Sequence, residues 1–464
     1  MMRLSVASKP RLRAMIRCGA LLALMMDGGI GHAQSMSGPL LSRSVLFGDP
    51  AGVRTRLAND GITLSGNDDE TLLGAAVGGI KHGATLQGLT TVNLQIDTGK
   101  AFGWPNGTVN VSALQIHGRS LSPYYLGDLQ TASGTEAETS TRLWELWYDQ
   151  KFDHGRLDVK IGQQSIDQEF IVSQYSGLFV NTMAGWPLLP SADLYAGGPA
   201  YPLSSLGARV RFKPRANMIV LLGGFDDNPP GGAFNNDPQS RDAGGTRFNT
   251  NTGALVIGEV QYAINQAGRP AELPGTYRLG FWYDTGRFPD PAIASNGVSL
   301  ASPASSGVAA LKRDNYSLYA VADQTVWASA RQPARTINIF ARVMGAPGDR
   351  NLIGFSFNGG VTMTDPLPGR PQDSAGVYIG VGVVGSAVAA YDRAESTYGG
   401  GFYPVQSAET LIEATYQLQV TPWWQVQPDI QYVINPGAGI LNPAHPTRLL
   451  RNALVLGVRT SLVF

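Results

Sequence analysis

The chain closes on Leu454-Val455-Leu456-Gly457-Val458-Arg459-Thr460-Ser461-Leu462-Val463-Phe464. Side chains alternate sides along an extended backbone, so Leu454, Leu456, Val458, Thr460, Leu462 and Phe464 share one face. Gly457, Arg459 and Ser461 fall on the other. An apolar face ending in a terminal aromatic is the pattern expected of the last strand of a bacterial outer-membrane β-barrel, the signal read by the barrel-assembly machinery.

The same alternation recurs upstream. Tyr277, Leu279, Phe281 and Tyr283 alternate with Arg278, Gly280, Trp282 and Asp284. Leu206, Ala208, Val210 and Phe212 alternate with Gly207, Arg209, Arg211 and Lys213, and Ile412, Ala414, Tyr416 and Leu418 with Glu413, Thr415 and Gln417. One such segment would also suit a soluble sandwich. Recurrence decides the matter: about fifteen to sixteen segments of roughly ten residues, spaced by Gly, Pro, Asn and Asp turns, fit an apolar-out, polar-in membrane wall. Aromatics gather towards strand ends, as at Trp144, Tyr148 and Phe152, where interfacial girdles belong. The expected fold class is all-β: a transmembrane antiparallel β-barrel of about sixteen strands with a short N-terminal helical segment.

Composition agrees. Lys+Arg and Asp+Glu both number 35 in 464 residues, so the formal net charge is zero. Nucleic-acid binding, which needs a basic footprint, is not expected. The one cysteine is Cys18. It falls in an expected leader, residues 1–33, with a basic stretch (Arg3, Lys9, Arg11, Arg13, Arg17), the apolar run 19–26, and small residues Gly31 and Ala33 before Gln34. That run is too short to cross ~30 Å of hydrocarbon, which takes roughly 20 residues. With no longer apolar run elsewhere, membrane residence requires a closed barrel. Residues 34–83 read as a separate helical periplasmic segment, because Asp49-Pro50 signals a turn and Val53 and Leu57 have helical spacing. The barrel is then expected over 84–464.

Motifs for chemistry are weak. Gly380-Val381-Gly382-Val383-Val384-Gly385 fits the dinucleotide fingerprint, but that needs a following helix within a βαβ unit, and the segment reads as a strand running into a loop. His82, His117, His154 and His445 lie far apart without ligand spacing. No nucleophile elbow is present. No cofactor, metal or catalytic activity is expected.

Several stretches resemble the carbohydrate-selective outer-membrane porins of the OprB family. They are Phe47-Gly48-Asp49 with Gly52-Val53-Arg54-Thr55-Arg56-Leu57, Gly103-Trp104-Pro105-Asn106-Gly107, Leu126-Gly127-Asp128-Leu129-Gln130, Arg142-Leu143-Trp144-Glu145-Leu146-Trp147, Gly280-Phe281-Trp282-Tyr283-Asp284-Thr285-Gly286, and Pro422-Trp423-Trp424 with Gln427-Pro428-Asp429-Ile430-Gln431-Tyr432. Pro50-Ala51 departs from the family's usual Trp-Gly. The resemblance implies a Gram-negative outer-membrane channel narrowed by inward-folded loops, passing monosaccharides and related polyols down their gradient. Sugars are neutral, rich in hydroxyls and apolar on one ring face, so their constriction suits paired charges and aromatic platforms. The pore-lining residues expected to meet them are Glu145, Trp147, Lys160, Arg209, Arg211, Glu259, Trp282, Arg342, Glu413 and Asp429. Opposed charges inside any barrel also brace its wall, so a general or anion-leaning diffusion porin is the alternative. Monomer and homotrimer both remain open at this point.

Overall fold

The computed structural model describes residue 36 and residues 38–234, 237–266 and 272–464. The leader expected over residues 1–33 lies outside the described residues.

The strands are β1 Ile62–Gly79, β2 Gly83–Asp97, β3 Gly107–Gly118, β4 Ser140–Phe152, β5 Leu157–Gln164, β6 Ser205–Arg215, β7 Met218–Asp226, β8 Ala254–Ile264, β9 Gly275–Ala294, β10 Ala309–Ala328, β11 Thr336–Gly345, β12 Ile353–Thr364, β13 Ser374–Val384, β14 Ala408–Thr421 and β15 Trp424–Ile434. A small hairpin, β16 Leu441–Asn442 and β17 His445–Leu449, precedes the last strand, β18 Arg451–Val463. β1 to β14 each pair antiparallel with the next, and β18 joins β15 to β1, closing a sixteen-stranded barrel. Closure leaves no unpaired edge, which hydrocarbon would penalise. Most connections on one rim are long (119–139, 165–204, 227–253, 385–407), and those on the other are mostly short (153–156, 216–217, 422–423). In outer-membrane barrels the long loops are extracellular and the short turns periplasmic.

The alternation read from sequence sorts side chains as expected. Val210, Leu222, Leu279 and Leu318 are exposed on the outer wall, while Arg209, Glu259 and Trp282 are buried inside. The terminal Phe464 lies 5.5 Å from the Phe47 ring, and Leu46 N–H donates to Val463 O at 2.8 Å. Trp423 Nε1 donates to Leu40 O at 2.7 Å. The N-terminal stretch is thus docked on the closing seam of the barrel, with a helix at Val53–Asn59.

Two expectations need correction. The barrel starts at Ile62, not at 84: β1 runs alongside both β2 and β18. Its alternation is masked in sequence because Gly66, Asp68 and Glu70 occupy outward positions that elsewhere carry apolar residues. Gly380 to Val384 does form a strand, but a helix, Ser386–Gly399, follows it directly. No βαβ unit results, since β13 pairs antiparallel with both neighbours. The glycines make room instead: a Cβ at Gly380 would strike Gln130, and one at Gly382 would strike Leu188.

Register makes a sharp prediction. Val210→Arg places a cation against lipid and should cost about 2–4 kcal/mol near mid-bilayer, whereas Arg211→Ala leaves the fold intact. Urea titrations of the two variants refolded into liposomes measure this. The opposite ranking would mean the register is off by one residue.

Candidate functional site

A loop that enters a barrel must satisfy its backbone groups without water, and it must cover an apolar surface to stay there. Residues 119–139 and 165–204 meet both conditions. From the second loop, Ile166, Phe170, Ile171, Met183, Trp186, Leu188, Leu189 and Leu194 form one buried cluster with Leu221, Leu255, Ile257, Trp282, Tyr319, Val321, Met344 and Ile353 of the wall. A second cluster joins Leu121, Leu126 and Phe179 of the loops to Leu73, Phe340, Tyr378, Leu411 and Val455. The upper part of the barrel therefore contains a packed core rather than an open bore.

Charged wall residues then bind the loop backbones. Glu259 accepts from Ile171 N–H at 2.8 Å and from Tyr319 Oη at 3.0 Å. Asp323 accepts from Ser173 Oγ at 2.5 Å and Gln174 N–H at 3.2 Å, and Arg278 Nη1 stands 2.6 Å from it. Glu413 takes Val180 N–H at 2.6 Å and Asn181 N–H at 3.2 Å. Glu409 takes Leu129 and Gln130 N–H, both at 2.8 Å, and Gly437 N–H at 2.7 Å. Arg342 donates in the opposite sense, to Met183, Ala184 and Gly185 carbonyls at 2.7 Å each and to Ile171 O at 3.3 Å. The loops are also tied to each other: Asn181 Nδ2 donates to Gln130 O at 2.9 Å and Thr182 N–H to Thr131 O at 3.0 Å.

On β4, β5 and β6 the wall carries a different set. Register places Asp158 beside Arg211 and Lys160 beside Arg209 and Asp149. Arg209 is paired with Asp158 and, at 2.6 Å, with Glu169 from the inward loop. Arg211 Nη2 lies 2.5 Å from Asp158 Oδ2. Lys160 is paired with Glu169 and stands 4.5 Å above the Trp147 ring. Here some side-chain surface stays open, 21% for Arg211 and 20% for Glu169.

All ten residues named from the sequence face inward, but they divide. Trp147, Lys160, Arg209 and Arg211 assemble in this charged patch. Glu259, Arg342 and Glu413 are 0–2% exposed and hydrogen-bond the loops, and Trp282 is covered by the apolar cluster. Glu145 accepts from Ser165 N–H at 3.1 Å, where the second loop begins. Asp429 accepts from Gln431 Nε2 at 2.8 Å, beside Glu413. Sequence reasoning missed Asp149, Asp158 and Glu169 in the patch, and Asp323 and Glu409 among the anchors. Asp158 was legible as the partner of an inward Arg across two strands; Glu169, on a loop without periodicity, was not.

Burial also acts on the loop carboxyls. It pushes Glu136 up to about 7, and it raises Asp128 well above the carboxylate range together with the nearby charges of Glu409 and Glu136. Burial alone would raise Glu169, but Lys160 and Arg209 outweigh it and hold that carboxyl below its ordinary value.

The comparisons with known proteins agree with this geometry. A family model described as "Carbohydrate-selective porin, OprB family" matches residues 81–464. Porin B of Pseudomonas aeruginosa is 24% identical over 469 residues, spanning 97% of both chains, and the putative porin QuiX of Acinetobacter baylyi is 23% identical over 90% of this chain and 95% of its own. Among solved structures, the high-pH form of Pseudomonas putida OprB superposes with a TM-score of 0.79 at 23% identity, covering 91% of this chain and 98% of that one.

Two outcomes follow from the anchoring. Arg342→Ala removes a cation from four carbonyls and should loosen the second loop by on the order of 3 kcal/mol, since bonds to charged groups contribute roughly 1.5–3 kcal/mol each. Single-channel recordings should show larger, noisier conductance from a barrel that still folds; unchanged conductance would mean the loop is held without it. Glu136 and Asp128 have folded-state pKa values above their unfolded ones, so their contribution to holding residues 119–139 is full below the ordinary carboxylate range. For Glu136 it is lost as pH rises through about 7. Limited proteolysis of this loop should accelerate from pH 5 to pH 8, and Glu136→Gln should flatten that dependence.

Proposed function

Because the chain belongs to the OprB family of carbohydrate-selective porins, we propose that it admits monosaccharides and related polyols past the Trp147–Lys160–Glu169–Arg209–Arg211 patch by passive diffusion. It resides in the bacterial outer membrane as a sixteen-stranded barrel. The observation that carries the reading is the pairing of every cation in the patch with a carboxylate. Lys160 and Arg209 share Glu169, while Arg209 and Arg211 share Asp158.

Asp149, 3.9 Å from Arg209, is the third carboxylate beside the three cations, and a patch of balanced charge attracts neither anions nor cations strongly, yet it offers charge-assisted donors and acceptors to hydroxyl groups. Arg211 and Glu169, the members with open surface, are the proposed hydroxyl partners, and Trp147 the proposed platform for the apolar ring face. Glu259, Arg342, Glu413 and Trp282 act in this reading through the loops they hold, as positioning residues. Glu145 does the same at the start of the second loop.

Affinity must stay weak, because a solute held tightly would not leave. A millimolar dissociation constant, about −4 kcal/mol, suits transport. In planar bilayers glucose should therefore reduce ion current saturably. Trp147→Ala should weaken that block with equal or larger conductance, and Arg211→Gln should both weaken it and shift ion preference towards cations, since Asp158 loses a partner. A current that falls only with solution viscosity, without saturation, would leave a general diffusion porin as the correct reading.

A further inference from the structure

Above β9, β10 and β12 the extracellular rim balances its charges: Lys312 lies 3.3 Å from Asp290 and 3.1 Å from Asp349, and Arg350 lies 2.9 Å from the same Asp349. The rim above the closing seam does not. No Asp or Glu occurs from Thr71 to Ile96 or from Ile430 to Phe464. These stretches supply the upper half of β1, nearly all of β2, the β16–β17 hairpin and β18. Lys81, His82, His445, Arg448 and Arg451 lie within them, all exposed. Among the described residues no carboxylate is paired with Lys81, Arg448 or Arg451, although the chain as a whole carries equal numbers of acids and bases.

The fold brings these residues together. Register sets Arg451 opposite Gly79 at the top of β1. Asn442 Nδ2 donates to Gly79 O and Ile80 O at 3.4 Å each, which seats the hairpin on the β1–β2 turn that carries Lys81 and His82. His445 pairs with Asn442, and Arg448 follows along β17. Ile80 and Lys81 N–H donate to Tyr125 O at 2.7 and 3.2 Å, and the Lys81 ammonium stands 5.0 Å above the Tyr125 ring. Towards mid-membrane from this rim the outward side chains are apolar: Val77 on β1, Leu86 on β2 and Leu456 on β18 are all exposed.

Cations above an apolar wall suit a ligand that is anionic at headgroup level and hydrocarbon beneath it. We infer that this rim binds the phosphate groups of lipid A, the diphosphorylated glycolipid of the outer leaflet, with its acyl chains lying on Val77, Leu86 and Leu456. Phosphate fits the donor set, because Lys81 supplies a point charge while Arg448 and Arg451 offer planar forks. His82 and His445 add ring N–H donors. Between neighbouring lipids these phosphates are bridged by divalent cations; where the leaflet meets the barrel, fixed side-chain cations take that role. The site is separate from the charged patch of β4, β5 and β6 and does not depend on which solute passes through the lumen.

Native mass spectrometry of the purified protein with added lipid A tests it. Diphosphoryl lipid A should give an adduct that survives EDTA, and the same lipid stripped of both phosphates should not. Arg448→Glu alters the exposed hairpin and no strand of the barrel wall, so the chain should keep its heat-modifiable mobility and the parent's single-channel conductance. Its affinity for diphosphoryl lipid A should fall roughly tenfold, whereas Arg393→Glu on the extracellular helix Ser386–Gly399 should leave that affinity unchanged. Equal binding of the two lipids, an adduct lost to EDTA, or equal effects of the two substitutions would each overturn the inference. So would an Arg448→Glu channel that retains lipid A yet loses preference for anions, because the rim would then serve dissolved anions instead.

Discussion

The loop amides held by wall carboxylates are the contacts on which the rest of this structure depends. A closed barrel of sixteen strands has a lumen too wide for side chains from the wall alone to fill. Something must enter it, and whatever enters brings backbone N–H and C=O groups with it. Glu259, Glu409, Glu413 and Asp323 accept six N–H groups of the two inward loops between them, at Leu129, Gln130, Ile171, Gln174, Val180 and Asn181. Arg342 answers four carbonyls. The apolar clusters supply the area and the ionic contacts supply the address.

That division explains how charge is distributed inside. The side of the lumen from β8 to β15 is occupied by loop, and its charges are closed off by it. The side made of β4, β5 and β6 keeps the charges that a solute could meet, and they are neutralised in pairs rather than left as a field. Arg209 and Glu169 connect the two roles, since one is on the wall and the other on the loop. Displacing the loop would therefore alter the charge of the passage as well as its width.

How much was legible beforehand depended on periodicity. Strands such as β6 and β9, whose outward residues are Val, Leu, Phe and Tyr, announced both existence and register. β1 did not, because Asp68 and Glu70 sit where lipid-facing residues belong, and the feature that hid the strand marks its outer wall as unusual. The helix after Gly385 was missed because Gly385 offers no side-chain cap to mark its start. For the site, the inward direction of all ten residues could be read from alternation. Their division could not: an inward Glu that binds a loop amide and one left open have the same sequence signature, and Glu413 lies more than 200 residues from the Val180 amide it accepts.

Hydrogen exchange on the folded protein tests the central claim most directly. If the loops are fixed inside by these bonds, peptides spanning residues 129–134, 170–175 and 178–184 should be protected to the same degree as the barrel strands β11 to β14. The exposed β16–β17 hairpin should exchange rapidly under the same conditions. Exchange of the three loop peptides at the hairpin's rate would contradict the account, because amides held by buried carboxylates cannot exchange freely while the barrel stays closed.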